Sequence, residues 1–186
     1  MNATQFFADT VNADMTLLYK KFLPLILPRG HLLDCGCGSG RDTKFFLGAG
    51  YRVTAIDDSK QMADMASEHC GIAVRQLRMQ DIDYQNEFDG IWASASLLHV
   101  ARSEMTATIR LLLLSLKPQG VLYASFKNGS GDRVKDGRQF TDFTAEQLIK
   151  TTNEIDHCQI SDAWASTGVR PAREHDSSSN ILLRRF

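Results

Sequence analysis

The 186-residue sequence has no apolar run long enough to cross a bilayer. Its longest, "LPLILP" at 23–28 and "LLLLSL" at 111–116, fall far short of the about 20 residues a membrane helix needs. The opening "MNATQFFADTVNADM" has neither the basic start nor the apolar centre of a secretory leader. Net charge is also nearly absent: 21 Lys and Arg face 22 Asp and Glu, so no strong field draws nucleic acid or an anionic membrane, although an RNA substrate stays open. Cysteine is scarce. Cys35, Cys37, Cys70 and Cys158 show no disulfide spacing, and the Cys-x-Cys pair lacks the second pair or nearby histidines of a zinc site, so no metal is implied. These absences point to a soluble, cytoplasmic chain with reduced thiols.

What is present is alternation, in a length that suits one domain with a full core. An amphipathic opening over 3–23, carrying Phe6, Phe7, Leu17, Leu18 and Phe22, reads as one or two helices stopped by Pro24 and Pro28. From His31 onward β-rich runs alternate with helical ones: "HLLDC" then "RDTKFFLGAG", "YRVTAID" then "SKQMADMASEHCG", "IAVRQLRMQ", then "FDGIWASAS" followed by "SEMTATIRLLLLSL", and "VLYASF". Ser59 is placed to cap one helix and Gly71 to end it. Thr144 and Gln147 form a capping-box pattern. The polar, glycine-rich 127–140 reads as a loop, and "HCQISDAWAS" and "ILLRRF" as two closing strands.

Strands separated by helices require crossovers, which gives an α/β, three-layer, Rossmann-like doubly wound sheet of about seven strands. It is mostly parallel, with an antiparallel strand near the C-terminus. In such sheets ligands bind beyond the carboxyl ends of the strands. The groups falling there are the glycines after strand one, Asp57 after strand two, Asp81 after strand three, Ser94 after strand four and Lys127 after strand five.

The stretch "LLDCGCGSGRD" concentrates backbone freedom at one spot, with Gly36, Gly38 and Gly40 around Ser39. A glycine-rich turn between strand and helix cradles part of a nucleotide. A dinucleotide fingerprint would place glycine at position 41, where this chain has Arg41, and the phosphate-binding Gly-Lys-Ser/Thr pattern is missing. Asp57, 17 residues past Gly40, is placed to accept both hydroxyls of a ribose. Asp34, just before the loop, is placed to receive a cationic amino group directly or through water. Arg41 either neutralises a ligand carboxylate or starts a helix. Met62 either belongs to the core or packs on an adenine. A ligand with a ribose, an amino group and no pyrophosphate suits this set, and S-adenosylmethionine has those features.

On these residues the chain resembles the class I S-adenosylmethionine-dependent methyltransferases. "LLDCGCGSGRD" looks like their first motif, "VTAIDDS" like their second and "MQDID" like their third, densest over 31–127. The resemblance implies that Asp81 meets the adenine amino group, with Ile82 supplying backbone. A narrower resemblance, to the small stand-alone bacterial enzymes of tellurite-resistance type, rests on "ASLLHV", on "DGRQFTDF" from Asp136 and on "VRPAREH" from Val169. Three departures stand out: "LKPQG" in place of Lys-Pro-Gly-Gly, a second acid at Asp58, and no aromatic beside Asn180.

The expected organisation is one methyltransferase domain over 1–186, with 1–28 a helical segment covering the cofactor and substrate edge. The expected chemistry is in-line methyl transfer to a small-molecule acceptor, with S-adenosylhomocysteine as product. His99, after strand four, is the candidate catalytic group, needed if the nucleophile is a hydroxyl or an ammonium and dispensable for a thiolate or a soft chalcogen anion. Lys127, Arg138, Arg170 and Arg173 are candidate acceptor contacts, with Arg133 in the same loops. Strand four ends in "SASL", without the Asn/Asp-Pro-Pro-aromatic signature of many nucleic-acid and protein methyltransferases, and no Pro-Cys nucleophile occurs. RNA or protein methylation, an NAD-dependent oxidoreductase and a non-catalytic cofactor-binding module remain the alternatives.

Overall fold

The sheet grows outward from its first strand, because each early crossover returns the chain beside a strand already laid down. A computed structural model describes residues 2–135, 137–167 and 177–186. The chain begins with α1 (Ala3–Thr10), capped by the Asn2 side chain, and α2 (Thr16–Phe22), after which Pro24 sits in a short turn. Then follow β1 (His31–Cys35), α3 (Arg41–Gly48), β2 (Arg52–Asp57), α4 (Lys60–Cys70), β3 (Val74–Gln76), β4 (Phe88–Ala93), α5 (Arg102–Ser115) and β5 (Leu116–Lys127). The rest is β6 (Asp132–Lys135), β7 (Arg138–Thr141), α6 (Ala145–Asn153), β8 (Cys158–Thr167) and β9 (Ser177–Arg185). The seven-stranded order is β3-β2-β1-β4-β5-β9-β8, and β9 is the one strand that runs against its neighbours.

Side-chain alternation along the strands builds the two flanking layers. Leu33, Ile91, Leu122, Ala124, Ile181 and Leu183 face one way, onto Met105, Ile109 and Leu112 of α5 and Leu148 of α6. Leu32, Trp92, Val121, Tyr123 and Leu182 face the other, onto Leu18, Tyr19 and Phe22 of α2 and Phe46 of α3. Ala66 of α4 extends that second layer over Ala55. No helix among the described residues is long and apolar enough to cross a membrane.

The expected caps form: Ser59 Oγ accepts from Met62 N, Gly71 takes a left-handed φ of 77°, and Thr144 and Gln147 bond each other's backbone reciprocally. Two expectations are corrected. The third strand is only Val74–Gln76, because the chain turns at Met79–Asp81 instead of continuing extended. The polar stretch 127–140 is not wholly a loop, since β6 and β7 pair antiparallel within it. Its polarity reflects a two-stranded ribbon standing apart from the sheet, with Val134 largely exposed.

Candidate functional site

The carboxyl ends of β1, β2 and β4 meet at the glycine loop. Gly36, Gly38 and Gly40 have φ of 75°, 55° and 74°, a region side chains rarely enter. Gly36 N and Cys37 N donate to Ile56 O, which ties the loop to β2. Gly36 is also pressed from β4's side: a Cβ built there would lie 2.5 Å from Ser96 Cβ, and Ser96 Oγ donates to Cys35 O at 2.6 Å. Gly36→Ala is therefore expected to cost about 2 to 4 kcal/mol, the left-handed penalty plus overpacking. Denaturant unfolding reads the loss, and a cost under about 0.5 kcal/mol would mean the contact yields freely.

Asp57 is held at the mouth of this loop. Its Oδ2 accepts from Gly38 N and its Oδ1 from Ser59 N, both at 2.9 Å. Burial raises its pKa above the ordinary carboxylate value, while those two N–H groups and the Arg138 guanidinium pull the other way. Asp58 beside it is exposed. Asp34, near the end of β1, is 2% exposed, and its Oδ2 accepts from Thr43 Oγ1 at 2.6 Å. Burial, then the charge of Asp42, drives its pKa well above the carboxylate range.

Arg41 has a different partner from a ligand carboxylate. Its Nε and Nη2 donate to the two oxygens of Asp42 at 2.7 and 2.8 Å, and Nη1 donates to Thr10 O at the end of α1. Asp42 also accepts from Tyr19 OH at 2.5 Å and Trp92 Nε1 at 2.8 Å. This buried four-residue knot was missed from sequence. The acid stood in plain view within the quoted stretch, but its partners come from α2 and β4.

Met62 is buried, at the start of α4. Asp81 is exposed and paired to Arg78 through both carboxylate oxygens at 2.7 and 2.9 Å, which lowers its pKa. Ile82 sits in the core. Ser94 is half-buried in the turn after β4.

His99 lies next to that turn, and its Nδ1 meets Gln139 O at 2.8 Å. A carbonyl only accepts, so Nδ1 carries the hydrogen and Nε2 presents a lone pair. Burial first, then the nearby Arg138 charge, pulls its pKa down to about 4, against the opposing pull of the Gln139 carbonyl. The ring packs edge-on to Phe140 at 4.8 Å between centroids. Arg138 is half-buried, and its charge acts on Asp57 and Asp58. Lys127 closes β5, where its carbonyl accepts from Phe143 N. Arg133 pairs with Asp142. Arg170 and Arg173 lie outside the described residues, as do Asp136 and the whole "VRPAREH" stretch. Among the described residues no cluster could hold a metal ion.

Comparison with known proteins adds kinship to geometry. Residues 32–120 match the family model described as a methyltransferase domain. An uncharacterised methyltransferase of Staphylococcus carnosus is 32% identical over 93 residues, which is 50% of this chain and 45% of that one. The chain spans about half the length of the curated relatives it matches. An S-adenosylmethionine-dependent methyltransferase from Methanosarcina mazei superposes with a TM-score of 0.79 at 15% identity, covering 94% of this chain and 99% of that one. The Burkholderia thailandensis 1,6-didemethyltoxoflavin-N1-methyltransferase, with bound 1,6-didemethyltoxoflavin and S-adenosylhomocysteine, gives a TM-score of 0.73 at 24% identity over 91% of this chain and 75% of that one.

Proposed function

We propose that this chain, whose residues 32–120 match a methyltransferase-domain model and whose fold is similar to that of an S-adenosylmethionine-dependent methyltransferase, transfers a methyl group from S-adenosylmethionine to a small-molecule acceptor. The observation that carries this reading is Asp57, fixed by the Gly38 and Ser59 amides at the open edge. Each carboxylate oxygen keeps a lone pair beyond the one engaged, enough for two ribose hydroxyls. The donor set therefore fits the nucleoside half of the cofactor. At the amino-acid half, Arg41 is committed to Asp42, which leaves the Asp34 oxygen not bonded to Thr43 and the loop formed by Gly36, Gly38, Ser39 and Gly40 to meet the ligand.

The cofactor, when bound, supplies a sulfonium methyl group open to in-line displacement. The chain's part is alignment and exclusion of water, and orientation supplies about 7 to 11 kcal/mol in favourable cases. α1 serves as the cover at the glycine loop, since Phe6 Cε1 lies 3.3 Å from where a Cβ at Gly38 would be. Ile82, Met62 and Asp81 flank the adenine, with Asp58 beside the ribose. Ser94 and the neutral His99 flank the acceptor, where the Nε2 lone pair orients an O–H or N–H nucleophile. A small acceptor is supported by the B. thailandensis enzyme, whose structure holds a heterocyclic one.

Calorimetric titration with S-adenosylmethionine, S-adenosylhomocysteine and NAD tests the cofactor. Micromolar binding of the first two without NAD is the expected result. NAD binding in their place would turn the reading to a dehydrogenase. Production of S-adenosylhomocysteine on addition of candidate acceptors separates an enzyme from a cofactor-binding module.

A further inference from the structure

Asp34 and Thr43 meet where the sheet faces α3. Asp34 follows Leu32 by two positions on β1, so both project from one face of the sheet, and Thr43 precedes Phe46 by three on α3, so both lie on one side of that helix. Leu32 and Phe46 share a core cluster. The polar pair continues that contact closer to the glycine loop: Thr43 is fully buried, and its Oγ1 donates to Asp34 Oδ2 at 2.6 Å. Other helical threonines spend the hydroxyl on their own helix. Thr10, Thr108 and Thr152 donate to Phe6 O, Glu104 O and Leu148 O, each four residues back. Thr43 reaches across to the sheet instead.

The second oxygen of Asp34 is in a different state. Among the described residues, the hydrogen bond to this carboxylate is the one from Thr43, and the partnerless side-chain polar atom sealed from solvent is Asp142 Oδ1. Asp34 Oδ1 is therefore partnerless without being sealed, two residues before Gly36. The groups that act on the acid are Asp42 and Arg41 of α3 and Asp57 of β2, with Arg41 itself paired to Asp42. Burial and the two neighbouring acids favour its proton, while Thr43 and Arg41 favour the charge. A cationic ligand group at Oδ1 would supply the direct counter-charge that the carboxylate lacks.

We infer that Thr43 is a positioning residue for the amino-acid end of the cofactor: by engaging Oδ2 it presents Asp34 Oδ1 beside the glycine loop, where that oxygen takes the α-ammonium group. This rests on the cofactor reading proposed above and adds the residue that orients the acid. Binding at that end then depends on protonation. An ammonium is held by the ionised acid, so a ligand that carries one should bind more tightly as pH rises through the Asp34 titration. The Thr43 hydroxyl, which favours the ionised form, moves that rise to lower pH.

The test is calorimetry with S-adenosylhomocysteine, which has the ammonium, and 5′-methylthioadenosine, which keeps the nucleoside and lacks the amino-acid end. Thr43→Val should weaken S-adenosylhomocysteine about tenfold and leave 5′-methylthioadenosine within about twofold of wild type. The deficit should be larger at about pH 6 than at about pH 8, because the variant's acid holds its proton to higher pH. Thr43→Ser restores the hydroxyl and should stay within about threefold of wild type for both ligands. If Thr43→Val does not fold, Thr43→Ala carries the same comparison. Equal losses for both ligands would make Thr43 a prop of the loop and overturn the inference. So would no loss for either, a serine variant as weak as valine, or a deficit indifferent to pH. If wild type binds neither ligand, the cofactor reading falls. If it binds both equally, the nucleoside half of that reading stands, and the Asp34 contact falls together with the role of Thr43.

Discussion

Asp57→Ala is expected to weaken S-adenosylhomocysteine binding tenfold or more, a loss of about 1.4 kcal/mol at the least. Hydrogen bonds to a charged acceptor contribute about 1.5 to 3 kcal/mol each, and two ribose hydroxyls would both lose theirs. The substitution reaches further, because the same carboxylate accepts from Gly38 N and Ser59 N. Alanine leaves those two amides to water and lets the loop drift from the start of α4. Asp57→Asn separates the two contributions. Its amide oxygen can keep one of the backbone donors, but its NH2 group faces the other donor, so affinity should fall between wild type and alanine. Isothermal titration of the three proteins decides it. Equal affinity across the series would mean the ribose lies elsewhere on the carboxyl edge.

Asp42→Ala is expected to destabilise the fold by about 3 to 5 kcal/mol, the cost of removing one partner from a buried ion pair. Four donors converge on this carboxylate: Arg41 Nε and Nη2, Tyr19 OH and Trp92 Nε1. With it gone, two guanidinium N–H groups, a phenol and an indole N–H lose their acceptor, and Arg41 keeps only the bond from Nη1 to Thr10 O. A typical domain has only about 5 to 15 kcal/mol in hand, so the variant should approach the margin of folding at moderate temperature. Asp42→Asn keeps the shape and one acceptor oxygen but not the charge, and should lose less. Urea unfolding monitored through Trp92 and Trp164 measures both. A loss below about 1 kcal/mol for alanine would show that water enters and satisfies the four donors.

The Asp42 knot also marks where the sequence stopped being readable. Ser59, Gly71, Thr144 and Gln147 were legible because a cap is satisfied within three or four residues of itself. The succession of strands and helices followed from alternation, and Asp57 from its distance past the glycines. Arg41 was open between a ligand role and a helix start because its partner decision is made by Tyr19, 23 positions from Asp42, and Trp92, 50 positions away. Ser96 reaches Cys35 across 61 positions, and no local pattern carries that contact. The hairpin was hidden for another reason. Its ladder stands apart from the sheet, so its residues are not selected for the alternating apolar face that makes a strand recognisable.

One consequence of the sheet order concerns the timing of synthesis. β8 is made before β9, yet among the described residues its ladder is with β9, which also supplies the outer ladder of β5. A chain leaving the ribosome can therefore assemble β1 to β5 with their helices while Cys158–Thr167 waits without a partner. Until Ser177–Arg185 emerges, β5 keeps a bare edge carrying Leu122, Ala124 and Phe126, the kind of surface on which another chain can add a strand. Delivery of that late strand both finishes the sheet and closes the interval in which a nascent chain is most exposed to aggregation.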